Sequence, residues 1–383
     1  MMSLSNVLKS NFMKMQYTFL LLIPLLTTAC RPTKDNHPPI ADRNASSATL
    51  ALYSKMKIFQ EKGFMIGHQD DMAYGVKWIA PNGKSDVYDV CSDYPAVFGW
   101  DLGHLELGTA WNLDSVPFAS MIEFAIEVHK LGGINTFSWH CDNPLTGGNT
   151  WDTKTPGVVR SILPGGTKHE EYKIWLDKLA AFFSSLKDDQ GNCIPVIFRP
   201  FHEQSGSWFW WGREHCSSDE FIQLWQLTFK YLTETKQIHN LIFAFSPAGD
   251  YQPRSPFTDR YPGNDYVDVV GFDIYQGPDQ ENKAFVEKFT TGIKTLLEFA
   301  EINNKIPAIT EMGFEQIPYP TWWSEVVYPV LKEYQVSYAL FWRNAANRPN
   351  HYYVPYPGQV SEADFVHFYK LPETLFLQDL REK

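Results

Sequence analysis

Residues 195–203 read PVIFRPFHE, an apolar and aromatic run that ends in a histidine and a glutamate. Such a run is typical of a strand buried in a parallel sheet. The pattern recurs along the chain and alternates with stretches of helical spacing, which indicates βα units. The eight candidate strands are FMIGH (64–68), AVFGWD (96–101), INTFSWH (134–140), PVIFRPFHE (195–203), LIFAFSP (241–247), VDVVGFDIY (267–275), PAITEMGF (307–314) and YALFWRN (338–344).

Helical patterns separate these strands. They lie at 47–63, 116–133, 169–186, 218–232, 282–302 and 321–334. Eight strands with intervening helices predict a single α/β domain, a (β/α)8 TIM barrel over residues 46–383, whose bottom the first helix is expected to cover. A doubly wound open sheet is the alternative, but no glycine-rich phosphate fingerprint favours it, and the GGNT stretch (147–150) is weak in that role.

Polar and aromatic side chains stand at the carboxyl ends of the predicted strands, where active sites of this fold form. These residues are His68, Asp101, His140, Glu203, Asp273, Tyr275, Glu311, Trp342 and Arg343. The aromatic stretch SGSWFWWG (205–212) follows shortly after the fourth strand. Because aromatic faces stack on the apolar faces of sugar rings, we expect a carbohydrate site at the barrel mouth.

Glu203 and Glu311 would supply the two carboxyl groups that glycoside hydrolysis needs. The acid must stay protonated near neutral pH, and the apolar surroundings of Glu203, beside His202 and the aromatic stretch, favour a raised pKa. The nucleophile must be ionised and oriented, for which the Tyr275 hydroxyl is a candidate donor. One such glutamate alone would indicate a salt bridge or a rim residue, whereas two in aromatic surroundings predict catalysis.

Four of these runs and one tryptophan resemble glycoside hydrolase family 26. The matching elements are FRPFHE (198–203), Trp208, GFDIY (271–275), ITEMGF (309–314) and LFWRN (340–344), and the likeness extends from about residue 47 to 380. Typical members of that family are retaining β-mannanases with catalytic glutamates on strands four and seven. Most families of the clan have asparagine before the acid/base, whereas this family has histidine, and His202 stands there.

The resemblance implies a role for each matching residue. Glu203 corresponds to the acid/base and Glu311 to the nucleophile, which Tyr275 positions. The residues expected to contact or hold substrate are His140 near the cleavage point, Trp342 under the sugar at subsite −1, Arg343 toward subsite −2, Trp208 on the leaving-group side, His202, Asp273, Tyr275 and, as a weaker match, Trp151.

The resemblance implies β-mannan or manno-oligosaccharides as substrate, cleaved by double displacement. β-1,3-Xylan and mixed-linkage glucan are alternative substrates, and a glycan-binding lipoprotein without catalysis is the rival class. The loops at 102–115 and 141–168 leave internal cleavage and mannobiose release equally open.

Other features of the chain limit its partners and ligands. The net charge of −11 without a basic stripe argues against nucleic acid. We expect no catalytic metal, because the histidines lack metal-ligand spacing, while a structural calcium stays open. The resemblance to glycosidases implies no cofactor. Asp70 and Asp71 are expected in a solvated loop and Trp322 and Trp323 in the core, while Trp210 and Trp211 suit either the core or a sugar platform. Export would permit disulfides among Cys91, Cys141, Cys193 and Cys216, but the sequence does not decide whether any form.

The amino-terminal residues predict export. Lys14 precedes FLLLIPLL (19–26), which is too short to span a bilayer as a helix, and LTTAC then ends at Cys30. This arrangement resembles the lipobox of bacterial lipoproteins, so we predict a signal peptide at 1–29, lipidation of Cys30 and a tether over 30–45. A plain secretory signal is the alternative. We expect a monomer in the cell envelope, in the periplasm or on the outer surface, that meets the membrane only through its lipid.

Overall fold

Eight parallel strands close into a barrel in the computed structural model, which describes residues 40–80, 83–249 and 255–381. The strands are β1 (Phe64–Gln69), β2 (Val97–Asp101), β3 (Ile134–Trp139), β4 (Val196–Pro200), β5 (Leu241–Phe245), β6 (Val269–Gln276), β7 (Ile306–Phe314) and β8 (Tyr338–Phe341). Each strand pairs with the next along the chain, and β8 pairs with β1, where Ala339 lies opposite Ile66. The predicted (β/α)8 fold is confirmed.

Helices occupy the segments between the strands. The described α-helices are α1 (Ser47–Lys62), α2 (Asp86–Cys91), α3 (Phe118–Leu131), α4 (Val158–Ile162), α5 (His169–Ser185), α6 (Ser218–Lys230), α7 (Ser255–Thr258), α8 (Asn282–Asn303), α9 (Tyr328–Glu333) and α10 (Glu362–Tyr369). Short 3₁₀ turns lie at Leu105–Leu107, Asn264–Tyr266 and Leu377–Arg381, and π-helical turns at Tyr231–Thr235 and Trp323–Val327. A short strand, Thr374–Leu375, pairs with β1, and a hairpin of Tyr74–Gly75 with Trp78–Ile79 follows β1.

Local sequence explains where several of these helices begin and end. Ser217 caps α6 in a capping box, since its hydroxyl accepts from the Glu220 N–H while the Glu220 carboxylate accepts from the Ser217 N–H. Helix α3 ends at Gly132, whose φ of 89° lies in the left-handed region that glycine adopts without strain. These caps fix the lengths of the helices and therefore the places where the next strands begin.

The first helix covers the bottom of the barrel, as predicted. Tyr53 and Met56 of α1 are buried in one apolar cluster with residues from the starts of all eight strands. Those strand residues are Met65, Val97, Ile134, Ile197, Ile242, Val269, Ile306 and Tyr338. The bottom of the barrel is thus apolar and filled, and the polar strand residues are left to the opposite end.

The described chain begins against the barrel. Ile40 is buried, the Ala41 N–H donates to Asp268 at 2.6 Å, and Asp42 pairs with His239 at 2.8 Å. The last residues of the predicted 30–45 tether are therefore packed on the domain. The signal peptide and lipidated Cys30 lie outside the described residues. Within the described ranges, no helix has the length and apolar character needed to cross a membrane.

Candidate active site

Glu203 stands in a turn after β4. The chain passes through two left-handed positions, Phe201 with φ of 50° and Glu203 with φ of 54°, so the prediction that β4 runs to residue 203 was wrong. Left-handed backbone costs a non-glycine residue on the order of 1 kcal/mol, and neighbouring packing must hold it. The buried Phe201 ring packs against Trp210 and Trp211. This turn brings a carboxyl oxygen of Glu203 within 4.8 Å of one of Glu311.

Both oxygens of Glu311 accept hydrogen bonds, one from a buried donor and one from a half-buried donor. Arg199 Nη2 donates to Oε2 at 2.6 Å, and the Tyr275 hydroxyl donates to Oε1 at 2.5 Å. Through Nη1, Arg199 also donates to Asp273 at 2.7 Å. Two donors from different strands give the Glu311 carboxylate one orientation, which is what a nucleophile requires.

A β-bulge between β6 and β7 produces this arrangement. The pairing shifts so that Phe272 lies opposite Ile309 but Asp273 lies opposite Glu311, which leaves Thr310 as the extra residue. The Thr310 hydroxyl donates to Asp273 at 2.7 Å. A bulge re-aims the side chains beside it, and here it brings two carboxylates to one guanidinium.

The two glutamates have different electrostatic surroundings. Burial raises the pKa of Glu203 well above its ordinary value, and the nearby charges of Asp273 and Glu311 add to this effect. A hydrogen bond of 2.6 Å from Trp208 Nε1 to Oε2 acts in the opposite direction. Glu311 instead faces the Arg199 cation. One carboxyl is therefore suited to donate a proton near neutral pH and the other to act as an anion.

Three carboxylates of this site converge as metal ligands would. Among the described residues, they are the one such group. Oxygens of Glu203, Asp273 and Glu311 lie within 4.8 Å of one another. However, Arg199 donates to two of the three and supplies the compensating positive charge. A metal cation in this position would be repelled by the guanidinium, so the arrangement does not fit a metal site.

Aromatic side chains line the mouth around these carboxyls. The His140 ring stacks on Trp151 at 5.8 Å and meets Trp342 edge-on at 6.4 Å. Trp151 is 49% exposed and Trp208, bonded to Glu203, is 38% exposed. Four of the predicted substrate residues thus present aromatic surface at the mouth, as a sugar site requires.

Arg343 is anchored by the hairpin after β1 and the loop after β2, both from the other half of the chain. Nη2 pairs with Asp114 at 2.8 Å, and Nη1 donates to the Tyr74 hydroxyl at 3.2 Å. The guanidinium is therefore fixed beside Trp342, the preceding residue, and remains slightly exposed.

Asp70 and Asp71 are both buried, so the prediction of a solvated loop was wrong. Asp70 accepts from the Tyr74 hydroxyl at 2.5 Å, and Asp71 accepts from His68 Nδ1 at 2.6 Å, with His68 also buried. Burial, together with the charge of Asp114, raises the pKa of Asp70 to about 8. The pair forms part of the support for the mouth.

The aromatic stretch after Glu203 divides between site and core. Trp208 faces the mouth, whereas Trp210 and Trp211 are completely buried and donate their indole N–H groups to main-chain carbonyls at 3.1 and 2.8 Å. The sequence left both roles open for this pair, and the structure assigns it to the core. Trp322 and Trp323 are also buried, which confirms their prediction.

Two residues expected to touch substrate lie behind the surface of the mouth. His202 is 1% exposed, and its Nε2 is 3.0 Å from Nε2 of His140. The Asp273 carboxylate is buried and engaged by Arg199 and Thr310. We therefore assign both to positioning other groups and correct the expectation that they contact sugar.

Sequence reasoning missed Arg199, although this residue stands inside the run that indicated the fourth strand. An arginine within an apolar strand could have indicated this role, because a buried positive charge needs a negatively charged partner. Tyr74, in the short hairpin after β1, and Asp114, in the loop after β2, were missed because neither segment has a local sequence pattern. Cys91, Cys141, Cys193 and Cys216 carry free thiols.

The barrel, with the carboxyl groups of Glu203 and Glu311 brought together at its mouth in different electrostatic surroundings and with aromatic rings beside them, defines a (β/α)8 glycoside hydrolase. The profile described as Glycosyl hydrolase family 26 matches residues 41–340. The chain therefore belongs to glycosyl hydrolase family 26, which confirms the resemblance inferred from its motifs.

Individual relatives agree with this assignment. A mannan endo-1,4-beta-mannosidase of Bifidobacterium adolescentis is 36% identical over 289 residues, which are 73% of this chain and 28% of that protein. One from Bacillus subtilis is 30% identical over 271 residues, 64% of this chain and 72% of that protein. The solved structure of a GH26 beta-mannanase from Bacteroides ovatus is 42% identical with a TM-score of 0.85, and the match covers 88% of this chain and 98% of that chain. This chain thus spans little more than a quarter of the Bifidobacterium relative.

Proposed function

We propose that this protein hydrolyses β-1,4-linked mannan with net retention of anomeric configuration. The observation that carries the proposal is the pairing of Glu203 and Glu311, whose oxygens come within 4.8 Å of each other. Retaining enzymes hold their carboxyls about 5–5.5 Å apart, whereas inverting enzymes need about 6.5–9.5 Å to admit a water molecule. The short separation supports direct attack by a carboxylate.

In the first step, a Glu311 oxygen attacks the anomeric carbon and the glycosidic C–O bond breaks. Glu203 gives its proton to the departing oxygen, so the leaving sugar carries a neutral hydroxyl. Arg199 and Tyr275 hold Glu311 in line for this attack. The product is a glycosyl ester of Glu311, and Glu203 is left as a carboxylate.

In the second step, the Glu203 carboxylate takes a proton from a water molecule as the water oxygen bonds to the anomeric carbon. The ester bond breaks, which regenerates the Glu311 carboxylate and protonated Glu203. Two inversions give net retention.

Mannan is the proposed substrate because the relatives that match are named as mannanases. Trp208, bonded to the proposed acid, is suited to stack on the leaving-group sugar, and Trp342 on the sugar being transferred. We assign Arg343 to the next sugar on the glycone side, and its fixed position between Asp114 and Tyr74 supports that role.

Product analysis tests this proposal. Wild type and Glu311→Ala would be incubated with linear β-1,4-mannan, mannohexaose, β-1,3-xylan and mixed-linkage glucan. We expect manno-oligosaccharides from wild type alone, with a spread of lengths for internal cleavage and mannobiose alone for release from chain ends. Hydrolysis of xylan or glucan instead would reassign the substrate. Binding of mannan by both proteins without products would make this a glycan-binding protein.

We also propose that the chain is exported as a lipid-anchored monomer through Cys30. The support is the apolar run and LTTAC sequence before that residue. Metabolic labelling with a fatty-acid probe in a bacterial host should mark the wild-type protein and leave Cys30→Ala unmarked. Light scattering of a variant without residues 1–30 should give the monomer mass, and a dimer mass would contradict that part of the proposal.

A further inference from the structure

The carboxylate of Asp101, at the end of β2, accepts four hydrogen bonds. Oδ1 accepts from the backbone N–H groups of Gly103 at 2.7 Å and His140 at 3.3 Å. Oδ2 accepts from the Ser138 hydroxyl at 2.5 Å and lies 2.6 Å from His140 Nδ1. An ionised carboxylate offers about four lone-pair sites and no proton. Asp101 is therefore a saturated acceptor, and the proton between it and His140 belongs to His140.

This constraint fixes the tautomer of His140. Since Nδ1 must donate to Asp101, Nε2 of the neutral ring has a free lone pair. His202 Nε2 lies 3.0 Å from it and must then carry the proton of that hydrogen bond. Protonating His140 would force the His202 proton onto Nδ1, which is buried and has no hydrogen-bond partner among the described residues.

His202 in turn belongs to the turn that presents Glu203. It lies between the two left-handed residues, Phe201 and Glu203, and its carbonyl oxygen accepts from Trp211 Nε1 at 2.8 Å. Within the described part of the chain, the His202 ring and this carbonyl oxygen make the two hydrogen bonds that hold the residue in place. Strained backbone persists only where surrounding contacts over-determine it.

We propose that Asp101 is a positioning residue for the acid/base step: it fixes the proton of His140 on Nδ1, which makes His140 the acceptor for His202 and so holds the turn that carries Glu203. The inference rests on the glycosidase function proposed above. It assigns a role to a buried aspartate that touches neither substrate nor either catalytic carboxyl.

Charged groups from several elements face His140 and enter its titration. They are Asp101 and Asp114 from β2 and its loop, Arg199 and His202 from β4 and its turn, and Glu311 from β7. Burial lowers the pKa of His140, but the charge and hydrogen bond of Asp101, together with the charge of Glu311, hold this pKa above the ordinary value. Burial also lowers the pKa of His202, well below the ordinary value, so His202 stays neutral, and His140 accepts its proton at pH values where the His140 ring is neutral as well.

The wild-type protein provides the first test, because ¹⁵N NMR of histidine side chains reports which ring nitrogen carries a proton. Neutral His140 should be protonated on Nδ1 and His202 on Nε2, with assignments made from His140→Gln and His202→Gln. This readout needs no catalytic activity, so it stands even if the proposed hydrolysis fails. His140 protonated on Nε2 in its neutral state would overturn the inference.

The variant Asp101→Asn provides the second test. The side-chain oxygen of the introduced asparagine would keep accepting from the two backbone N–H groups, so the amide NH₂ would face His140 Nδ1. Two donors cannot share a hydrogen bond, so the ring proton of His140 would move to Nε2. There it would face the proton of His202. We expect the tautomer of His140 to reverse and its pKa to fall. With mannohexaose, kcat should fall on the order of 100-fold, the size of effect that a small misplacement of a catalytic group produces.

An aryl β-mannobioside with a 2,4-dinitrophenyl leaving group distinguishes positioning from general damage, because its first step needs no acid. The burst of dinitrophenol from Asp101→Asn should keep a near-wild-type rate. Asp93→Asn is the matched control, since Asp93 is buried but accepts from Tyr94 and Gln378 instead of a histidine, and it should leave both rates unchanged. An equal loss on both substrates in Asp101→Asn, or no loss on mannohexaose, would refute the role.

Discussion

Replacing Trp208 by phenylalanine removes the hydrogen bond to Glu203 and keeps an aromatic face for the sugar. That bond is 2.6 Å long and favours the ionised carboxylate. A hydrogen bond to a charged group contributes about 1.5–3 kcal/mol, and about 1.4 kcal/mol corresponds to one pKa unit. The upper limit is thus a shift of about 1–2 units. Because Trp208 is 38% exposed, water replaces part of the lost donor, and we expect about 0.5–1 unit.

The sign follows from the role of Glu203 as the acid. Losing the donor raises the pKa of Glu203 further, so the protonated acid persists to higher pH. The descending alkaline limb of kcat/KM for mannohexaose should therefore move up by about 0.5–1 pH unit in Trp208→Phe. KM should also rise, because phenylalanine offers a smaller stacking surface.

The matched control is Trp151→Phe, which changes another exposed tryptophan of the mouth that is stacked on His140 and is not bonded to Glu203. This variant should alter KM and leave the alkaline limb in place. An alkaline limb that stays put or moves to lower pH in Trp208→Phe would refute the assignment of Glu203 as the acid.

Three further predictions concern the charged groups. Arg199→Met should lower the free energy of unfolding by about 3–5 kcal/mol, because Asp273 and Glu311 would remain buried without their counter-charge; urea unfolding measures this, and a loss near zero would contradict the ion-pair account. Glu203→Gln should flatten the dependence of the free energy of unfolding on pH. Folding raises the pKa of Glu203, so the wild-type protein loses stability as the pH rises from the ordinary carboxyl pKa through the raised pKa. The variant should therefore gain melting temperature over wild type in alkaline buffer, and parallel pH curves for the two proteins would disprove it. Glu203→Ala should slow mannohexaose hydrolysis severely yet form the glycosyl-enzyme normally from a dinitrophenyl mannoside, as burst kinetics would record; an equally slow burst would remove Glu203 from the acid role.

The barrel was predictable because each buried strand is a short apolar run bounded by helical patterns, and this information is local. The proximity of Glu203 and Glu311 was also predictable, because the carboxyl ends of the parallel strands meet at one end of the barrel. The turn at Phe201 was not predictable, because its left-handed conformation depends on packing against tryptophans that follow it. The strand was therefore extended too far on its apolar pattern alone.

The burial of Asp70 was missed for a related reason. Its support, through Tyr74 and Arg343, joins residues from opposite ends of the chain that only barrel closure brings together. The shared guanidinium of Arg199 likewise depends on the bulge at Thr310, which a strand pattern does not reveal. Local pattern thus located the catalytic pair, whereas the network that orients it required the fold.

In the proposed mechanism, Glu311 forms a covalent bond to the transferred sugar. The most direct measurement is mass spectrometry of peptides after reaction with a 2-deoxy-2-fluoro-mannosyl fluoride, whose fluorine slows release of the intermediate. We expect one added fluorosugar on the peptide that contains Glu311 and none in Glu311→Ala. A label on Glu203 or Asp273, or no label in a protein that hydrolyses mannan, would contradict it.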